Sequence, residues 1–271
     1  IQQGWRVLLN DIGLHLEDVL RHAGFHADIP IGEEPILSAE ECFRLWRSLE
    51  KLTIGQILPI RIGEAMSVEA FAPPTFAALF SPDLNRALIR IARYERLVFP
   101  LITSRVSMDS KTTKLSLDWP RDAGTPPMSL LETKLVFVVQ FVRIATRSRI
   151  VPLEVTLPHQ PTQTQDFAEY FGLDVRSGER PSIVFSSTDA RRPFLTANEK
   201  TWQYFEPELQ RQLEVLDRSK TIAALEKAAL GESIPAETTR SDTESLQIWR
   251  SQRTDHGSRQ ERTQERLWRK N

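Results

Sequence analysis

Ser81-Pro-Asp-Leu-Asn-Arg-Ala-Leu-Ile-Arg-Ile-Ala-Arg-Tyr94 decides how this chain is read. Ser81-Pro82-Asp83 is a helix-start signal, a short polar side chain placed to accept the first free backbone N–H groups. Leu84, Leu88, Ile91 and Ala92, with Leu97 further on, recur at helical spacing and predict one buried stripe. Arg93 and Tyr94 stand near the end of that helix. They would either offer a cation and a phenol to a pocket or act as capping and packing groups, Arg favouring the negative end of the helix dipole.

Upstream, the pattern stays helical. Leu14, Val19, Leu20 and Ala23 form one apolar face closed by Gly24, and Ser38-Ala-Glu-Glu41 is a capping box ahead of Phe43, Leu45, Trp46, Leu49 and Leu52. Pro73-Pro74 is expected to break the chain before Phe76–Phe80. Downstream of Pro100 the period shifts to two. Ile102, Ser104, Val106 and Met108 alternate with polar residues, and Leu115, Leu117 and Trp119 follow a polar turn, which predicts a hairpin. Leu130–Thr146 reads as a helix buried on most of its circumference. Val151–Leu157 and Ser182–Ser186 read as strands, and Gln163–Phe171 as a short helix stopped by Gly172. Asn198–Leu216 reads as a helix that extends toward Leu230. The expected fold class is α+β, with a helical N-terminal layer followed by a small mixed sheet with packed helices.

Composition divides the chain near Gly231. About 44% of the first 230 residues are apolar, as in a packed domain, against seven of the last 41. So little apolar surface does not offset ordering entropy, and the tail is expected to be disordered. The net charge is −1, and the final 22 residues carry seven basic against three acidic groups. The globular part is therefore no strong electrostatic partner for nucleic acid, and the arginines of the tail read as a solvated stretch. Cys42 is the only cysteine, which excludes an internal disulfide and suggests a reducing, cytoplasmic location. No apolar run reaches the ~18 residues of a membrane span, so no membrane partner is expected.

No phosphate-binding Gly-rich loop, nucleophile elbow, His-Glu-x-x-His or paired-Cys metal site is present, so neither an enzyme nor a cofactor or metal is expected. His22 and His26 have the spacing of a helical metal pair, but Gly24 between them would end the helix, and surface histidines are the default. His159 follows a strand end, where it would read a ligand or bond to loop backbone. Trp5, Trp46, Trp119, Phe137 and Phe141 would line an apolar ligand cavity or fill the core, core packing being the default. Candidate ligand contacts are thus Arg93, Tyr94, Trp119 and His159.

The quoted stretch resembles the Ser-Pro-Thr-Leu-x-x-Ala-Leu-x-x-x-x-Arg-Tyr segment of the N-terminal, arabinose-binding-type sensor domain of AraC-family transcriptional regulators. A second block agrees in order and spacing: Pro158-His159, Phe167-Ala-Glu-Tyr-Phe-Gly172, Ile183-Val-Phe185 and Arg192-Pro-Phe-Leu-Thr-Ala-Asn198. Leu20-Arg-His-Ala-Gly-Phe25 and Leu58-Pro-Ile-Arg-Ile-Gly-Glu64 fit its N-terminal signatures. The resemblance spans about residues 5–205. It implies an effector-sensing domain over 1–205 (helical 1–99, α+β 100–205), a connector helix over 206–230 and the Arg-rich tail over 231–271. It also implies a small-molecule effector and a homodimer. In the family, a DNA-binding domain of two helix-turn-helix units follows. Such units need about a hundred residues in a regular apolar pattern, which the 41 residues after Leu230 do not supply. The expectation is a sensor module truncated before its DNA-binding domain, by a frameshift among other routes, with operator DNA a partner only of full-length relatives. A free-standing small-molecule-binding or dimerising protein that modulates intact homologues is the alternative.

Overall fold

An apolar stripe at helical spacing repeats through the first hundred residues, where the described residues form six α-helices, two of them started by a side-chain cap. The computed structural model describes residues 3–25 and 37–229. These helices are α1 (Gln3–Asp11), α2 (Leu16–His22), α3 (Ala39–Leu52), α4 (Leu58–Ala65), α5 (Pro73–Ala78) and α6 (Leu84–Tyr94). The Ser38 capping box forms as the sequence predicts: the Glu41 N–H donates to the Ser38 hydroxyl and the Ser38 N–H to the Glu41 carboxylate. Gly24 adopts φ of 76° just past α2, the left-handed conformation that favours glycine. Asp83 caps α6 by accepting from the Arg86 N–H at 2.9 Å. Pro73-Pro74 does not break the chain. Both prolines occupy the first turn of α5, where a missing N–H costs nothing.

The second half carries the sheet. Strands β1 (Thr103–Met108) and β2 (Thr112–Asp118) form the predicted hairpin, and Asp109 closes its turn by accepting from the N–H groups of Lys111 and Thr112. After α7 (Met128–Thr146) come β3 (Glu154–Leu157), α8 (Thr164–Phe171), β4 (Arg176–Ser177), β5 (Ser182–Ser186), α9 (Ser187–Ala190) and α10 (Glu199–Ala229). The strand order is β1-β2-β5-β3-β4, antiparallel except for the β3/β4 pair, so the sheet is mixed. Strand β3 is shorter than the alternation suggests. Val151 and Leu153 precede it and Leu153 is exposed, because the ladder with β5 begins only at Glu154. The α+β class with a helical first layer is the observed architecture.

Helix α7 is the spine of the core, with Leu131, Leu135, Val136, Val139, Phe141 and Val142 essentially inaccessible. Helix α4 crosses it so closely that a Cβ on Gly63 would lie 2.3 Å from a Val136 methyl and 2.9 Å from the Tyr170 hydroxyl. A side chain there would have to displace a β-branched core residue. Arg143 of α7 donates to the carbonyls of Ile150 and Tyr170 at 3.1 and 2.9 Å and so ties α8 to the spine. A polar cluster joins α3 to α7: the Trp46 indole N–H donates to the Ser129 hydroxyl at 2.7 Å, and that hydroxyl donates to Glu50. Glu132 lies buried nearby. Burial, with a smaller push from the Glu50 charge, raises its pKa to about 7.

The chain divides into two units, Ile1–Leu213 and Glu214–Asn271. In the first, α10 begins on a buried arginine. Arg90 of α6 donates from one nitrogen to both oxygens of Glu199, at 2.6 and 2.8 Å, and from another to the Ser81 hydroxyl at 2.9 Å. Its guanidinium carbon stands 4.0 Å from the centre of a Trp202 ring. Phe205 stacks on Phe80, with Phe76 edge-on to both. Among the described residues the second unit contributes the continuation of α10 from Glu214 to Ala229. The polar tail after Leu230 and the His26 member of the possible histidine pair lie outside the described residues.

Two predictions follow from this packing. Glu132 binds its proton more tightly folded than unfolded, so the extra stability is present below pH 4.5 and is lost as pH rises toward about 7. The loss is on the order of 3 kcal/mol. Urea titrations across this range should show the decline, and Glu132→Gln should flatten it; an unchanged slope in the variant would exclude Glu132 as the cause. Arg90→Met should lower stability by about 1–3 kcal/mol, because Glu199 is left in solvent and Trp202 loses its cation. Hydrogen exchange should then speed up in the first turns of α10 before it does so in α7.

Candidate functional site

Helix α6 and its C-cap residue Glu95 carry two pairs of residues four apart, and the pairs point in different directions. Arg90 and Tyr94 face α10, whereas Ile91 and Glu95, one turn apart, face a cavity of about 130 Å³. Helix α7 supplies the opposite wall through Leu130, Thr133, Lys134 and Phe137, an i, i+3, i+4, i+7 set. Trp5 and Leu8 of α1, Trp46 of α3 and Ile62 of α4 close one end, and the segment from Met66 to Thr75 and Val98–Phe99 close the remainder. Trp5 meets Trp46 edge-on at 6.2 Å between ring centres, and Phe71 meets Phe137 at 6.1 Å. These rigid rings hold the space open because their shapes leave no room for a neighbour to fill it.

Two ionisable groups enter this apolar space. Glu95 is buried, and both of its oxygens are engaged by Ser104 of β1: the backbone N–H donates to one and the hydroxyl to the other at 2.7 Å. Burial raises its pKa above the ordinary carboxylate value, with Lys134 and the Ser104 bonds opposing. Lys134 is held below its ordinary value by burial, and the Glu95 charge acts against that shift. Its ammonium lies 5.8 Å from the centre of the Phe99 ring. Among the described residues no carboxylate or carbonyl lies within hydrogen-bond distance of it. The other polar lining groups are better provided for, since Thr133 donates to the Ser129 carbonyl at 2.7 Å and the Trp46 indole to Ser129.

The residues singled out from the sequence are distributed differently. Of the five aromatics considered for a cavity, Trp5, Trp46 and Phe137 line it; Phe141 is fully buried behind Phe71, and Trp119 packs half-buried against the main core. Arg93 reaches α10, donating to Glu206 at 3.2 Å and Gln210 at 3.0 Å. Tyr94 is completely buried against Trp202, and its hydroxyl has no hydrogen-bond partner. His159 is exposed in the bend after β3. Arg93 stands over the Tyr94 ring at 5.2 Å, but the structure does not gather these two with Trp119 and His159, and none of the four lines the cavity. Sequence reasoning passed over Glu95 and Lys134. The available signal was a lysine interrupting the otherwise apolar run from Leu130 to Val139. Among the described residues no group of three or more His, Cys, Asp or Glu is placed to hold a metal ion, and no helix is long and apolar enough to cross a membrane.

The shared motif residues outside the cavity build the frame. Phe167 and Phe171 of α8 and Ile183 and Phe185 of β5 are core residues. The segment after Arg192 is stitched to the α5–α6 junction: the Phe194 N–H donates to the Pro82 carbonyl, Asn198 to Phe80, and the Thr196 hydroxyl to Leu79 at 2.6 Å. The solved structures include a match in the transcriptional regulator CdpR from Pseudomonas aeruginosa, at 16% identity and a TM-score of 0.51, covering 94% of this chain and 86% of that one. At that identity the likeness is one of fold. No curated protein matches the sequence significantly. The model of the arabinose-binding domain of AraC transcription regulators, the N-terminal domain, matches residues 13–194. That match takes in α6, the sheet and nearly every wall of the cavity, and by it the chain belongs to the family of AraC-type regulator sensor domains.

Proposed function

We propose that residues 1–213 are the ligand-sensing module of an AraC-type transcriptional regulator and that the cavity between α6 and α7 is its effector site. The observation that supports this most directly is an aromatic-lined cleft with two ionisable groups in its wall, inside a domain of this family. Nothing in the cavity resembles a catalytic constellation: no nucleophile lies beside a base, and the one carboxylate is held by Ser104. A sensor role is therefore favoured over catalysis. The polar content of the lining is low for a sugar, whose hydroxyls would each need a partner, so the family's description does not carry arabinose to this chain.

Helix α6 gives the module a route from ligand to output. One side of it lines the cavity, and another holds the start of α10 through Arg90, Arg93 and Tyr94. An effector would act by favouring one of two dockings of α10, with consequences for a homodimer or for a reader domain carried by full-length relatives, and only to the extent that it binds one state better. Operator DNA would be contacted by that reader domain and not by residues 1–213.

A thermal-shift screen over sugars, amino acids, carboxylates and neutral apolar compounds tests the reading. At about 100 times its Kd a ligand adds roughly 2.7 kcal/mol, a shift of several degrees for a domain of this size. At least one class should shift the wild type, and Ile91→Trp, which fills the cavity from α6, should abolish that shift while keeping the native circular dichroism. A ligand whose shift survives Ile91→Trp would place the effector site elsewhere.

A further inference from the structure

Lys134 is the charged group of the cavity whose needs the protein leaves unmet. It springs from the first half of α7, lines the cavity beside Thr133 and Phe137, and places its ammonium 5.8 Å from the centre of the Phe99 ring. Lys134 is half-buried in the cavity wall, and no carboxylate of the described residues forms an ion pair with it, so its charge is available to a ligand that enters the apolar space. Glu95 does not pair with it. The carboxylate is directed to Ser104, which uses both oxygens, and no ion pair joins it to Lys134. With Glu95 held by Ser104, Lys134 is the lining group suited to pair with an anion.

The rest of the cavity sets the size and character of what carries that anion. Its volume of about 130 Å³ is close to that of an apolar cavity of ~150 Å³ that takes up benzene. Phe71, Phe137, Trp46 and Ile91 surround it with apolar surface. A ring or a short folded chain fits; a sugar does not, for want of partners, and a zwitterionic amino acid would need a second free carboxylate for its ammonium.

We propose that this site takes an apolar carboxylate, an aryl-alkanoate or a medium-chain alkanoate, with its carboxylate on Lys134 and its body among the aromatic rings. This rests on the reading of the cavity as the effector site and adds the class of ligand. The two sources share one headgroup and differ in the body, so the probes separate them.

Calorimetric titration of the full chain with phenylpropanoate and with octanoate is the test, against octanamide, octylamine and norleucine. One of the two carboxylates should bind one-to-one, and the better one names the source. Its neutral amide should bind at least about tenfold more weakly, the worth of one charge-assisted hydrogen bond. Lys134→Met should lose the preference for carboxylate over amide, and Lys134→Arg should keep most of it. Native circular dichroism and an unaltered response to denaturant confirm that each variant is folded; if Lys134→Met does not fold, Lys134→Gln serves in its place. Equal binding of amide or amine, or undiminished carboxylate binding by the variant, overturns the proposal. If another compound class binds and Ile91→Trp blocks it, the sensor reading stands and the carboxylate assignment falls. If no class binds at all, both fall.

Discussion

The buried guanidinium of Arg90 is the constraint around which the sensor unit is arranged. It is almost wholly removed from solvent, so its charge is tolerable only with partners in fixed positions. Ser81 before α6, Glu199 at the start of α10 and the face of Trp202 supply them. Ser81 comes from the middle of the chain and Glu199 and Trp202 from the first turn of α10, so together they bring the end of the domain back against its middle. Phe76, Phe80 and Phe205 pack on one another and add an aromatic contact between the α5–α6 segment and α10.

Because Arg90 and Tyr94 consume one side of α6, the neighbouring side is free to face the cavity. Ile91 and Glu95 occupy it, and the Ser104 bonds fix Glu95 to the sheet. One short helix thus touches the ligand space, the sheet and α10. Packed interiors shift between discrete arrangements and do not deform continuously. A ligand that moves α6 by a small amount would therefore be read at α10 as a change in docking, which is the physical content of the sensor reading.

The architecture was legible where local signals were strong. Ser38, Asp83, Gly24 and Gly172 marked element ends that the structure reproduces, and the alternation after Pro100 located the hairpin. Pro73-Pro74 was misread as a break because a proline pair stops a helix behind it and equally starts one ahead. Residues Val151–Leu153 looked like strand because alternation alone does not reveal where a partner strand ends. The cavity was half legible. Trp5, Trp46 and Phe137 were named as possible walls, yet nothing in the sequence says which aromatics leave space and which fill it. Arg93 and Tyr94 stood out by motif and proved to hold α10. Glu95 and Lys134 lie thirty-nine positions apart in the chain and come to line one cavity only in the folded domain.

The most direct test is a crystal of the protein soaked with para-bromophenylpropanoate, the bromine located by its anomalous scattering. The account places one bromine peak between α6 and α7, among Phe71, Phe137 and Ile91, with the carboxylate within hydrogen-bond distance of the Lys134 ammonium. An empty cavity with the bromine bound elsewhere, or a ligand seated with its carboxylate turned away from Lys134, would contradict it.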